Sequence, residues 1–332
     1  MNMLSSKPLI AFIVPTGTGA SIGGFAGDAS SYARSFTEDF NVIVNPNTVN
    51  AACFSGICAG MLYTEGWAFS QFLKGNLHLI PAKKNRIGII FDKGISKGIL
   101  NVHFNTVNAV KTVYDIDVSA YEITDYPVNV KFFNTSGGIS SGSLMNNETL
   151  VKAGKRLLQK GIDVIAVVCK FDEPPEDDYK NGTGVDIVGG IEAVISHFLT
   201  RELKVPVVHS PAFEDITITK ELVNAKASAE YITPTFLPCL LFALNNAPLI
   251  STEKREHYIS KDKLKALIMP YNSLGASIVL DAVKSDIKVF AIKENSTVLK
   301  ITKEIIKKND IIETDTYEDC RSMLKEMFYE KI

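Results

Sequence analysis

The chain has 332 residues, of which 46% are hydrophobic and 22% are charged, and its formal net charge at pH 7 is −2. This composition is typical of a globular protein with one large core or two medium ones. Charge balance and the lack of a lysine or arginine run argue against a nucleic-acid partner. Since no apolar stretch could span a bilayer and residues 1–7 lack the apolar core of a signal peptide, we expect a cytoplasmic protein without a membrane partner.

The five cysteines are odd in number and scattered, and Cys53 and Cys58 lack the Cys-x-x-Cys spacing of redox or zinc sites. We therefore predict free thiols, mostly buried, with neither a disulfide framework nor a zinc site.

Apolar, β-branched runs recur along the chain at 9–14, 42–44, 87–91, 118–123, 164–169, 205–208, 266–269 and 287–292. Several are continuous rather than alternating, which is typical of strands covered on both faces. Helical patterns lie between them, notably at 148–159, 191–200, 274–283 and 298–307. The sequence predicts an α/β fold with a mainly parallel sheet and helices on both faces.

A Ser/Gly stretch at 134–143 is the one linker-like segment near the middle of the chain. We place a domain boundary there, which gives an N-terminal α/β lobe at 1–133, a C-terminal α/β lobe at 134–332 and a cleft between them. The stretch also contains Gly138-x-Ser140-x-Gly142, the spacing of a serine nucleophile elbow, but it lacks the flanking strand and helix of one.

The first predicted strand leads directly into a glycine-rich loop. Its candidate substrate-binding residues are Thr16, Gly17, Thr18, Gly19, Gly23 and Gly24. Glycine lets backbone N–H groups approach a ligand closely, so the loop predicts a cradle for an anion. The Gly-x-Gly-x-x-x-Gly spacing is one residue longer than the dinucleotide fingerprint, and no P-loop lysine follows. A small anionic substrate therefore fits better than a dinucleotide.

A second glycine-rich segment runs from Gly182 into a helix at Gly189 and Gly190, where a helix N-terminus could hold a carboxylate or phosphate. Asp186 precedes this helix and Glu192 lies in its first turn, which makes both candidates for acid–base catalysis. His197 lies five residues after Glu192, about 140° around the helix, and we predict a structural role for it.

Ligands of parallel α/β sheets bind at the carboxyl ends of the strands, and titratable or amide residues follow most predicted strands. His209, after the apolar run at 205–208, is our first choice as general acid or base, with Glu192 and Asp186 next. Further substrate-binding candidates are Asp28, Asn47, Glu65, Asn272 and Asn295, and Glu230 is another carboxylate that could join the site. No motif requires a cofactor. A divalent metal is compatible with these side chains, although they lack the spacing of a metal site.

Several long motifs resemble one family. They are residues 15–28, Asn-Pro-Asn-Thr-Val-Asn-Ala-Ala at 45–52, Tyr-Thr-Glu-Gly at 63–66, residues 184–197, His-Ser-Pro-Ala at 209–212 and Thr-Phe-Leu-Pro at 235–238. Together they are similar to the bacterial family called domain of unknown function 3326, and the resemblance covers nearly the whole chain. It implies no activity. Asn45 and Ser210 depart from the residues expected there, His and Ala.

These observations predict an enzyme that performs non-redox acid–base chemistry, of the hydrolase, lyase or isomerase type, on a small carboxylate- or phosphate-bearing metabolite. Two alternatives stay open. One is a dinucleotide-dependent oxidoreductase, and the other is a non-catalytic metabolite-binding or assembly protein. A homo-oligomer is compatible with the sequence.

Overall fold

The structure, a computed structural model, describes residues 6–174 and 178–329. Its strands are β1 (Leu9–Phe12), β2 (Asn41–Val44), β3 (Asn50–Ala51), β4 (Phe54–Ser55), β5 (Met61–Tyr63), β6 (His78–Ile80), β7 (Ile87–Phe91), β8 (Val118–Ile123), β9 (Val130–Asn134), β10 (Ser140–Leu144), β11 (Val164–Lys170), β12 (Val207–Ala212), β13 (Leu249–Ser251), β14 (Leu264–Pro270), β15 (Lys288–Ile292) and β16 (Ile312–Thr314). Its α-helices are α1 (Ser30–Phe36), α2 (Pro46–Val49), α3 (Gly66–Lys74), α4 (Lys97–Tyr114), α5 (Asn147–Gln159), α6 (Gly189–Leu203), α7 (Ser228–Tyr231), α8 (Leu237–Asn245), α9 (Ser277–Lys284), α10 (Lys303–Ile306) and α11 (Tyr317–Tyr329).

Two parallel sheets organise the chain. The larger has the order β5-β2-β1-β14-β15-β16, and every neighbouring pair in it is parallel. The smaller has the order β8-β7-β11-β12 and is also parallel throughout. In both sheets the strand order reverses direction once, between β1 and β14 and between β7 and β11. Such reversals open a crevice at the carboxyl ends of the strands.

Helices cover both faces of each sheet. In β1, Ile10 and Phe12 pack in the core cluster that contains residues of α1 and α11, while Leu9 and Ala11 pack in the cluster of α3 and α9. Successive side chains of a strand point to opposite faces, so a strand covered on both sides must be apolar throughout. In the smaller sheet, α4 and α8 cover one face and α5 and α6 the other. The predicted fold class is confirmed.

The structure does not support the predicted boundary at 133/134. Residues 134 and 140 pair in an antiparallel hairpin of β9 and β10, so the linker-like stretch forms the turn and most of the second strand of that hairpin. Strands on both sides of the boundary pair in each sheet, β7 with β11 and β1 with β14. One core cluster also contains buried residues of both sheets. The smaller sheet is instead built from a continuous segment between the two halves of the larger one.

All eight predicted strands are present, and β5 and β16 complete the larger sheet. Of the segment 298–307, predicted as helix, only Lys303–Ile306 is helical. The five cysteines are free, and Cys169, Cys239 and Cys320 are buried, as predicted. No helix in the described residues is long and apolar enough to cross a membrane. Residues 1–5, part of the segment judged not to be a signal peptide, lie outside the described residues.

Candidate active site

A cavity of about 1120 Å³ lies where the carboxyl ends of both sheets meet. Segments after β1, β2 and β5 line one side, and residues of β12, α6 and the segment after β12 line the other. The cavity is large enough for a small-molecule ligand. Seven predicted site residues line it: Thr16, Gly24, Asn47, Glu65, Asp186, Glu192 and His209.

His209 lies within β12 rather than after its end, and its side chain is 0% exposed. Its Nε2 accepts the backbone N–H of Cys169 at 3.3 Å, and its ring stacks on Phe171 with the ring centroids 5.1 Å apart. The neutral ring therefore carries its proton on Nδ1, which lies 3.3 Å from Oε1 of Glu192. Burial lowers the pKa of His209 to about 3.

This geometry disagrees with the predicted role of His209 as the first proton-transfer group. Both ring nitrogens have partners, and one partner is fixed backbone. The ring is neutral at pH 7, and its Nδ1 faces the Glu192 carboxyl. Strand β12 is longer than the apolar run suggested, so the side chain that looked like a strand-end residue is inside the sheet.

Glu192 presents its carboxyl to the cavity from the first turn of α6, with 25% of its side chain exposed. Burial raises the pKa of Glu192 well above its usual value, and the nearby carboxylates of Asp186 and Glu230 raise it further. Such surroundings favour the protonated form of the carboxyl, which can act as a general acid.

Glu230 and Tyr179 form a second polar group on the cavity wall. Glu230 Oε1 accepts the Tyr179 hydroxyl at 2.6 Å and the Ala26 N–H at 2.8 Å. Burial, and then the charge of Asp186, raise the pKa of Glu230 to about 7. Sequence reasoning missed Tyr179, although it lies only three residues before the predicted second glycine-rich segment.

Glu65 and His197 form a third group. The Glu65 side chain caps α3, where its two oxygens accept the N–H groups of Trp67 at 2.8 Å and Ala68 at 3.0 Å. His197 Nε2 lies 3.1 Å from Oε1 of Glu65, which is 1% exposed, whereas the His197 side chain is 48% exposed. Burial raises the pKa of Glu65 to about 7 and lowers that of His197. His197 lines the cavity, so its placement differs from the purely structural role predicted for it.

Several backbone donors of the predicted anion cradle are engaged within the chain. The N–H groups of Gly23 and Phe25 donate to Asp28 Oδ1, at 2.8 and 3.3 Å, and that of Gly190 donates to Ser140 Oγ at 2.6 Å. These donors already have partners within the chain. Asp28 holds the loop, and burial raises its pKa to about 6.

Close approach explains why glycine stands at several of these positions. A Cβ on Gly17 would lie 2.6 Å from Ser140 Oγ, and one on Gly190 would lie 2.1 Å from the Ser140 carbonyl oxygen. The two glycine-rich loops therefore meet at Ser140. At these positions the glycines pack against the protein itself.

Several predicted residues are absent from the cavity lining. They are Gly17, Thr18, Gly19, Gly23, Asp28, Gly189, Gly190, Asn272 and Asn295. Asn272 bonds to the backbone of Thr297, and Asn295 bonds to the backbone of Ile22 and the Tyr317 hydroxyl. Both asparagines connect loops of the chain away from the cavity lining.

The asparagines after β2 hold the first loop. Asn45 exchanges two hydrogen bonds with the backbone of Val14, at 2.8 and 3.2 Å. Asn47 donates to the Gly23 carbonyl at 2.7 Å while it lines the cavity. Asn45 therefore has a structural role at the position where the family resemblance suggested His.

Replacing Gly190 with alanine should lower the free energy of unfolding by about 1–3 kcal/mol or more, because the new Cβ overlaps the Ser140 carbonyl. Gly98→Ala is the matched control, since nothing lies within 4 Å of a Cβ there and alanine is the better helix former. Urea denaturation of both variants measures the effect. Equal midpoints for Gly190→Ala and the parent would contradict the packing role.

Within the described residues, no group of three or more His, Cys, Asp or Glu side chains has the arrangement to hold a metal ion.

Comparison with known proteins supports the resemblance found in the motifs. Residues 9–327 match the family described as protein of unknown function DUF3326. A protein of Synechococcus sp., named an uncharacterised lipoprotein, is 32% identical over 306 residues, which cover 90% of this chain and 85% of that protein. A structure of unliganded arylmalonate decarboxylase aligns with 61% of this chain and 87% of its own chain, at 14% identity and a TM-score of 0.21.

Proposed function

We propose that this chain, which belongs to the DUF3326 family of proteins of unknown function, is an enzyme that catalyses non-redox proton transfer on a small molecule. The main observation in support is that the Glu192 carboxyl faces the cavity and contacts the buried ring of His209 on its other side. Such an arrangement of an orienting group behind a titratable group is typical of catalytic sites.

Glu192 acts as the general acid in this proposal. Neighbouring Asp186 and Glu230 favour its protonated form, and the His209 Nδ1–H stabilises the carboxylate that remains after the proton has left. His209 is therefore a positioning residue that also accommodates the change of charge.

His197 is the partner base. A carboxylate 3.1 Å from Nε2 favours the tautomer with the proton on that nitrogen, which leaves Nδ1 as the basic atom. Glu192 and His197 lie five residues apart on α6, so their Cα atoms are separated by about 7.5 Å along the helix axis. Two groups with opposite protonation states on one cavity wall suit a lyase, isomerase or hydrolase.

The dinucleotide alternative has no structural observation in its favour. The Ile22 N–H donates to Asn295 Oδ1 at 3.1 Å, and the Gly23 and Phe25 N–H groups donate to Asp28, so these donors of the loop are engaged. A non-catalytic binding protein is the other outcome of the test below.

The test compares the parent with Glu192→Gln in a small-molecule extract, with conversions followed by mass spectrometry in H₂O and in D₂O. We expect at least one compound to be converted, or to exchange hydrogen for deuterium, with the parent and not with Glu192→Gln. Glu256→Gln, at an exposed position outside the cavity lining, is the matched control and should behave like the parent. Binding without any Glu192-dependent conversion would favour the non-catalytic alternative.

His197→Gln should lower kcat by about 10²-fold through loss of the base. The base must be unprotonated, so the rate of the parent should fall as the pH drops through the pKa of His197, below its usual value of 6.5. The variant should lose this acidic limb. A pH–rate profile that keeps the limb would assign it to another group.

A cytoplasmic location is part of the proposal. Fractionation of the native cells tests it, and recovery in the membrane fraction would favour the anchored state suggested by the name of the Synechococcus relative.

A further inference from the structure

We infer that residues 213–235 form a lid over the cavity, and that a small cluster of side chains around Phe25 holds this lid against the opposite wall. Movement of the lid would admit a small molecule to the cavity and release it. The inference concerns access to the cavity and does not depend on the proposed proton transfer.

The lid is the long connection between β12 and α8. Its one helix is α7, which has four residues. Connections of more than about 12–15 residues without regular structure are uncommon in compact domains, and they are often active-site lids or binding loops. Residues along the whole connection line the cavity, from Phe213 through Thr219 and Val223 to Thr233. The segment therefore forms one wall of the cavity over its full length.

The lid is fixed at its ends and weakly packed between them. Phe213 packs against the core cluster of the smaller sheet, and Thr235 is buried just before α8. Between residues 214 and 234, all of which the structure describes, Ala227 is the one buried residue, and Leu222 is fully exposed. A segment that buries few side chains can open at a small fraction of the free energy that unfolds the whole chain.

The latch is a hydrophobic cluster of Phe25, Tyr179, Ala227 and Tyr231, which is separate from the core clusters of the two sheets. Phe25 belongs to the loop after β1, whereas Ala227 and Tyr231 belong to the lid. Tyr179, which precedes α6, packs on Phe25 with the ring centroids 4.5 Å apart. A small cluster under a long loop can come apart while the main core stays packed. The latch thus joins the lid to the loop on the other side of the cavity.

Hydrogen bonds reinforce the latch. Nζ of Lys226 donates to the Ser21 carbonyl at 2.6 Å and lies 6.0 Å from the centroid of the Phe25 ring. Oε1 of Glu230 accepts the Ala26 N–H at 2.8 Å. Lys226 and Glu230 are lid residues, and Ser21 and Ala26 lie in the loop after β1. Both bonds would break when the lid opens, and water would replace the lost partners.

Cys239 is a natural reporter of lid opening. It lies in the first turn of α8, shortly after the lid, where it lines the cavity and is 2% exposed. Cys169 lies in β11 and is 0% exposed within a core cluster. A thiol reagent can therefore reach Cys239 when the lid opens, whereas its reaction with Cys169 requires the core to open.

The test measures thiol labelling of the full-length chain with iodoacetamide, followed at each cysteine by peptide mass spectrometry. Phe25→Ala should raise the labelling rate of Cys239 at least tenfold and leave that of Cys169 unchanged. Lys226→Ala, at an exposed position, should also raise the Cys239 rate. Phe133→Ala is the matched control, because Phe133 is an exposed phenylalanine outside the cavity lining, and it should label like the parent. Circular dichroism checks that each variant is folded.

Three results would overturn the lid. They are an unchanged Cys239 rate in both folded latch variants, an equal rise at Cys239 and Cys169, and labelling of Cys239 in the parent as fast as that of the half-buried Cys53. The labelling involves no turnover, so its result is separate from that of the extract screen. The expected labelling without any Glu192-dependent conversion would leave the lid standing and contradict the enzyme.

Discussion

Replacing Glu192 with glutamine should lower kcat by about 10²–10⁴-fold and change KM only a few-fold. Glutamine keeps the shape of the side chain and accepts the His209 Nδ1–H, but it carries no transferable proton. The buried ring and the neighbouring carboxylates that tune Glu192 are unchanged in this variant. Steady-state kinetics with the compound identified by the extract screen measure the effect.

His209→Gln is the informative comparison for that experiment. A glutamine at 209 can still accept the Cys169 N–H and donate to Glu192, so we expect a smaller loss of kcat, about tenfold. The alkaline limb of the pH–rate profile, which reports the acid, should shift because the environment of Glu192 has changed. A larger loss in His209→Gln than in Glu192→Gln, with both variants folded, would restore the proton-transfer role predicted for His209.

The fold was predictable because its determinants are local and repetitive. A strand covered on both faces must be apolar at every position, and the continuous apolar runs at 9–14 and 164–169 have this pattern. Strand pairing was not predictable. Nothing local in 87–91 indicates that it pairs with 164–168, and the linker-like stretch at 134–143 forms the turn and most of the second strand of a hairpin.

The site was predicted in part for the same reason. Thr16 and Asn47, selected because they follow predicted strands, line the same cavity as Asp186 and Glu192, which were selected from the second glycine-rich segment. The position of a residue at the end of a strand does not determine which partners its hydrogen-bonding groups have. Asn295 and Gly190 form hydrogen bonds within the chain, and the His209 side chain bonds to the neighbouring strand β11. These contacts depend on the tertiary structure and cannot be read from the local sequence. His197, for which a structural role was predicted, lines the cavity beside Glu65, a partner that is distant in sequence.

The buried imidazole of His209 should make the protein less stable in acid. Its pKa is about 3 in the folded chain, because of burial, and 6.5 in the unfolded chain. Below pH 6.5 the unfolded state binds a proton that the folded state does not, so the stability present above pH 6.5 is lost as the pH falls toward 3. Between pH 7 and pH 4 the loss through this one group is about 3 kcal/mol.

Comparing the parent with His209→Gln isolates that contribution. The pKa values of Glu65 and Glu230 are raised to about 7, so these groups make the folded state more stable as the pH falls from 7 to 4.5. Both groups are present in the parent and in the variant, so their contributions cancel in the difference in stability. Glu192 touches the replaced ring and is the remaining source of pH dependence. In urea denaturation the variant should be less stable than the parent at pH 7, and the gap should close or reverse by pH 4. A gap for His209→Gln that does not change with pH would mean that the ring is protonated in the folded protein. The hydrogen bond from the Cys169 N–H to Nε2, on which the positioning role of His209 rests, would then be wrong.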